Sequence, residues 1–186
     1  MSDEDLKTKI EGWLKTQGYP LEMVVARTFR DAGFITSQSE YYADPETGKM
    51  REIDVVARAE HIVEHFTLRV TFVIECKLAT KKPWILFISP NLSLRGMSAV
   101  NKRVASMIGD QFLRQISSNA DIQGLEMFKV PDQPAYGVTD ALRKEAGDGE
   151  QEGKAVAYMA ASGVTHAALA QVRAADWATE HIDPVC

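Results

Sequence analysis

Apolar and polar positions alternate along 66-FTLRVTFVIECKL-78, where Phe66, Leu68, Val70, Phe72, Ile74, Cys76 and Leu78 are interleaved with Thr67, Arg69, Thr71, Val73, Glu75 and Lys77. A period of two held this long predicts a strand buried on one face. Glu75 and Lys77 then project from the more polar face, roughly 7 Å apart along the strand. The preceding 52-EIDVVAR-58 predicts a second strand, with Ile53, Val55 and Ala57 on one face and Asp54 and Val56 on the other. Residues 59–65 connect the two, and so short a connection makes them antiparallel neighbours.

Upstream, the pattern is helical. Gly18-Tyr19-Pro20 closes a short first helix and opens a second, from about Leu21 to Ala32, with Leu21, Val24, Val25, Thr28 and Ala32 as its inward stripe. Gly33 stands where a helix C′ glycine belongs. A strand from Phe34 to Tyr42 and a turn over 44-DPETGK-49 follow. Downstream, 84-WILFIS-89 predicts a strand. Residues 98–118 predict a helix with Val100, Val104, Met107, Ile108, Phe112 and Ile116 inward, and residues 134–138 another strand. Ala-rich helices fill most of 154–180. The order predicts an α/β (α+β) fold with a central mixed β-sheet flanked by helices. Residues 1–186 form one domain in this reading, with its core over about 18–140 and an Ala-rich helical part over 140–186.

Composition narrows the classes. No apolar run approaches the length of a membrane span, and the acidic, amphipathic start MSDEDLKTKIEGW is unlike a secretory signal. Two cysteines, one in a strand and one at the last position, make no disulfide framework, so reduced thiols in the cytoplasm are expected. The net charge of −5 conceals an asymmetry. Residues 69–115 hold eight Lys and Arg against two acidic residues, whereas 116–186 hold five against eleven. The basic block includes Lys81, Lys82, Arg95, Lys102 and Arg103. Two readings of it stand: a patch for nucleic-acid phosphates, or a solvated helix face.

The chemistry centres on carboxylates. The pattern [Asp/Glu]-x-Lys occurs at Asp5-Leu6-Lys7, Glu75-Cys76-Lys77 and Glu152-Gly153-Lys154, but only the middle copy is held on a strand with an apolar back face. Asp54 lies on the neighbouring strand. Two carboxylates brought together repel unless a cation sits between them. Oxygen donors that leave room for water suit Mg²⁺, for which Mn²⁺ can substitute. A structural ion pair of Lys77 with Asp54 or Glu75 is the other reading. Glu22 shares a helical line with Ala26 and Phe29 and borders the buried stripe; it is also an acidic residue favourable to a helix N-terminus.

In this order, Glu22, Asp54 and 73-VIECK-77 resemble the PD-(D/E)XK nuclease superfamily, with its restriction-endonuclease-like fold. The resemblance covers about residues 18–118 and is to the Mrr-type and archaeal-resolvase-like branches. It implies a catalytic set of Glu22, Asp54, Glu75 and Lys77. It further implies a metal held by Asp54, Glu75 and the Cys76 carbonyl, with Glu22 reaching it directly or through water. Gln111 or Gln115 matches an auxiliary glutamine of some members. The family's proline before the aspartate is Ile53 here. Asp44-Pro45 reverses that order and lies in a turn, so it reads as turn chemistry alone.

The implied activity is Mg²⁺-dependent hydrolysis of DNA or other nucleic-acid phosphodiesters, leaving 5′ phosphates, in restriction, defence or repair. Lys81, Lys82, Arg95, Lys102 and Arg103 would grip flanking phosphates without reading sequence. A second copy, or a protein partner on the acidic C-terminal part, is the other class of partner expected. The rival function is a nuclease-like module that binds nucleic acid or protein without cleaving.

Overall fold

The computed structural model describes residues 2–64, 66–78, 83–89, 104–125, 135–140 and 155–180. The elements in chain order begin with α1 (Asp3–Leu14), α2 (Tyr19–Asp31), β1 (Ile35–Ala43), β2 (Met50–Val63) and β3 (Phe66–Ile74). They continue with β4 (Trp84–Ile88), α3 (Met107–Ile116), α4 (Ala120–Gln123), β5 (Ala135–Asp140) and α5 (Ala155–Glu180). This is a mixed α+β chain. It divides into two compact units, Met1–Pro83 with Tyr158–Ala167 and Trp84–Ala157 with Ala168–Cys186. No helix among the described residues is long and apolar enough to cross a membrane.

In the first unit α1 starts at a capping box: the Ser2 hydroxyl accepts from the Asp5 N–H while the Asp5 carboxylate accepts from the Ser2 N–H. Helix α2 carries Pro20 in its first turn, where the missing N–H has no helical partner to lose. It ends at Gly33, φ 90°, whose N–H donates to the Arg30 carbonyl while the Phe34 N–H donates to that of Phe29. The Phe34 ring seals this end edge-on to Phe29, centroids 5.4 Å apart, and Phe72 of β3 packs against both. A Cβ at Gly33 would meet no atom within 4 Å, so only the left-handed backbone resists a side chain there. Gly33→Ala is therefore expected to lower stability by about 1 kcal/mol, read as a shifted urea midpoint at constant m.

The buried line of α2 differs from the predicted stripe. Leu21, Val25, Ala26 and Phe29 face inward, whereas Val24 is 58% exposed and Thr28 and Ala32 also face solvent. Docking of Phe29 on Phe72 sets this rotation, and it brings Glu22 to the border of the packed face.

Strands β1, β2 and β3 form a sheet in that order, every pair antiparallel. Strand β2 is longer than predicted. Residues 59–63 belong to it rather than to a connection, and Val63 pairs with Phe66 around a tight turn at Glu64, φ 49°. Strand β3 is shorter, ending at Ile74. Ile53, Val55, Val56 and Ala57 are at most 1% exposed, so the centre of β2 is buried on both faces. Ala26, Val55 and Cys76 make the core beneath α2, with Leu21, Val25 and Ile74 against it.

The β1–β2 turn is tied down by Asp44, which is 1% exposed. Its Oδ1 accepts the N–H groups of Glu46 at 3.0 Å and Thr47 at 2.9 Å. Its Oδ2 faces Arg51 Nε at 2.5 Å and His166 Nδ1, on α5, at 3.3 Å. The sequence reading of this segment as turn chemistry alone misses that second half. Nearby, the Tyr42 hydroxyl donates to the Gly163 carbonyl of α5 at 3.2 Å.

The second unit holds a separate antiparallel pair, β4 with β5. The described pairings are thus all antiparallel, where a mixed sheet was expected; in the first sheet the tight β1–β2 and β2–β3 turns admit no other direction. Helix α3 begins at Ser106, whose hydroxyl accepts the Gly109 N–H, so residues 104–106 precede the helix. The part of the predicted helix over 98–103 lies outside the described residues. Met107 and Ile108, predicted inward, are 78% and 76% exposed.

Candidate functional site

Asp54 sits at an irregular step of the sheet. The β1–β2 register is the same on either side, from Gln38↔Val55 to Glu40↔Ile53, but Ser39 and Asp54 between them do not pair. Ser39 has φ 51°, a left-handed backbone that costs a non-glycine residue about 1 kcal/mol. The kink releases Asp54 from the ladder. Its Oδ2 instead accepts the Cys76 N–H at 2.6 Å, across to the chain leaving β3. That bond replaces the next rung of the β2–β3 ladder and explains why β3 stops at Ile74. Asp54 Oδ1 has no hydrogen bond among the described residues.

Beyond Ile74 the i, i+2 spacing still puts Glu75 and Lys77 on one side, and Lys77 Nζ donates to Glu75 Oε1. The Cys76 side chain points the other way, into the core under α2. Burial, and then the charges of Asp54, Glu22 and Glu75, push its thiol up to about 11. The thiol thus stays protonated, and Cys76 serves the site through its backbone. Burial opposes the Lys77 ammonium, but the hydrogen bond and charge of Glu75, with Asp54 behind, outweigh it and raise its pKa. Lys77 is therefore a fixed cation and has no lone pair with which to take a proton.

Glu22, Glu52, Asp54, Cys76 and Lys77 line one open cavity of about 440 Å³, closed on its other side by the α1–α2 turn over Thr16, Gln17, Gly18 and Tyr19. Burial raises the Glu22 pKa, and the charges of Asp54, Glu52 and Glu75 add to this against Lys77. A Cβ on Gly18 would stand 3.4 Å from Glu22 Oε1, so the turn lies directly against this acid.

Sequence reasoning missed Glu52, although its i, i+2 relation to Asp54 in an alternating strand was a usable signal. The Tyr41 hydroxyl donates to Glu52 Oε2 at 3.2 Å and orients it. The turn from Thr16 to Tyr19 carried no such signal, because only the packing of α2 on the sheet brings it there.

Of the remaining expected site residues, Lys81, Lys82, Arg95, Lys102 and Arg103 lie outside the described residues. Gln111 and Gln115 are exposed on α3, in the second unit. Among the described residues no three His, Cys, Asp or Glu side chains are grouped so as to hold an ion unaided. The carboxylates that line the cavity are those of Glu22, Glu52 and Asp54; Glu75, paired with Lys77, is not among its lining residues. No family model matches the chain, and no curated protein or solved structure matches it.

Proposed function

We propose that this chain is a Mg²⁺-dependent nuclease of the PD-(D/E)XK type that hydrolyses DNA phosphodiester bonds. The observation that carries the reading is the common cavity of Glu22, Asp54 and Lys77, with Asp54 bonded to the backbone of the Glu-x-Lys segment. Nothing in β-sheet packing requires these charges to converge. The donor set suits an ion that keeps several waters and takes only one or two carboxylates. Asp54 Oδ1, Glu75 and the Cys76 carbonyl would hold it, and Lys77 would release Glu75 to phosphate as the substrate enters. When bound, Mg²⁺ supplies Lewis-acid stabilisation of the phosphoryl oxygens.

The chain's own residues supply the rest. The Lys77 ammonium donates to a non-bridging phosphate oxygen and stabilises the charge that grows there. Glu22, on the same cavity wall, accepts the proton of the attacking water. Water adds to phosphorus opposite the 3′ oxygen, the P–O3′ bond breaks, and the departing oxygen takes a proton from solvent. The products are a 5′ phosphate and a 3′ hydroxyl. The buried Cys76 thiol takes no part.

Supercoiled plasmid and a labelled single strand, each incubated with purified protein, test the reading. Cleavage is expected with Mg²⁺ or Mn²⁺ and should vanish with a chelator, then return when Mg²⁺ is restored. Binding without cleavage of either substrate, under all metal conditions, would instead support the non-cleaving module.

A further inference from the structure

One side of the cavity takes no part in this chemistry. Tyr19 at the start of α2 is 53% exposed, and Trp13 near the end of α1 is 54% exposed. Their ring centroids are 6.4 Å apart with the planes tilted by 38°, so the two rings touch and each still presents surface to solvent. Aromatic rings this size normally bury most of their area. Here two stand half-bare together, one of them lining the cavity that holds Asp54 and Lys77.

We propose that Trp13 and Tyr19 form a stacking platform for a nucleobase beside the scissile phosphate. The preferred substrate is then nucleic acid with unpaired bases at that point, such as a single strand, a frayed end or a flap. This rests on the nuclease reading. A base inside a duplex has both faces covered by its neighbours, so an unpaired base lies on a protein ring at far lower cost than a paired one, which must first be unstacked.

Charge points the same way. Among the described residues the cavity wall carries Glu22, Glu52 and Asp54 against one cation, Lys77, so it suits one phosphate at Lys77 and a neutral group elsewhere. The base is the neutral part of a nucleotide. Gln17 adds an amide with both donor and acceptor capacity on the same wall, joined to the Thr16 hydroxyl at 3.3 Å, for a base edge to meet. A cavity of about 440 Å³ lies within the usual range of ligand pockets.

The chain has three tryptophans, so Trp84→Phe with Trp177→Phe leaves Trp13 as the only indole reporter. In a cleavage-dead Asp54→Asn background with Mg²⁺ present, a thymidine oligomer should quench Trp13 fluorescence. An abasic strand of the same length should not. Tyr19→Ala is expected to weaken single-strand binding roughly tenfold and leave blunt-duplex binding unchanged. Tyr19→Phe keeps the ring and should retain affinity, which separates stacking from a folding defect. Equal quenching by the two strands, or equal losses on strand and duplex, would overturn the platform. The two readings fail separately. Base-dependent quenching in a protein that cuts nothing removes the nuclease and leaves the platform. Cleavage indifferent to Trp13→Ala and Tyr19→Ala on every substrate removes the platform and leaves the nuclease.

Discussion

Asp54→Asn is expected to reduce Mg²⁺-dependent cleavage by roughly a thousandfold or more while leaving the melting temperature unchanged or slightly raised. Asparagine keeps an oxygen that can accept the Cys76 N–H, so the junction of β2 with the chain leaving β3 survives. What disappears is the negative charge, and with it part of the repulsion felt by Glu22. Asp54→Ala is the coarser change, because it also strands the Cys76 N–H. Lys77→Ala should abolish cleavage similarly, since it removes the ammonium that Glu75 and Asp54 hold charged. Single-turnover rates with saturating DNA, together with thermal unfolding of each variant, give both readouts. Undiminished cleavage in Lys77→Ala would take the lysine out of the chemistry.

The sequence was most informative where a local pattern has a local cause. Gly33 and Pro20 marked the ends of α2 because backbone φ and a missing N–H act within one turn. The antiparallel pairing of β2 with β3 and the convergence of Asp54 on the Glu-x-Lys segment followed from two alternating runs and a short connection. Where several side chains compete for one face, pattern alone was insufficient. Val24 and Val25 are equally apolar, and only the Phe29–Phe72 contact decides that Val25 turns inward. The end of β3 was likewise invisible, because alternation continues through Leu78 while the Cys76 N–H has already left the ladder for a side chain. Asp44 illustrates the same limit at longer range. Its N–H partners are two and three residues away and were legible as a turn, but His166 is supplied by α5, far along the chain.

Replacing that residue is expected to have the largest effect on stability: Asp44→Ala should lower the melting temperature by roughly 5 °C or more, without altering the cavity's charges. The carboxylate is sealed from solvent and does three things at once. Its Oδ1 satisfies two N–H groups of the turn, its Oδ2 offsets Arg51, and the same Oδ2 lies 3.3 Å from His166 Nδ1 of α5. Alanine leaves those N–H groups without acceptors and the Arg51 guanidinium without its nearest anion. Asparagine restores the Oδ1 bonds alone, so Asp44→Asn should recover part of the loss, and the remainder measures the ionic half. The pH dependence has a definite sign. The bond from the Thr47 N–H leads the causes that hold the Asp44 pKa far below its ordinary 3.8, outweighing burial, with Glu46 and Arg51 assisting. A carboxylate with a depressed native pKa contributes fully above its unfolded value and loses that contribution as pH falls through the native one. Between pH 5 and pH 2 the parent protein should therefore lose more stability than Asp44→Asn, and urea midpoints across that range check it. Parallel decline of the two would mean that the charge on Asp44 contributes nothing to stability.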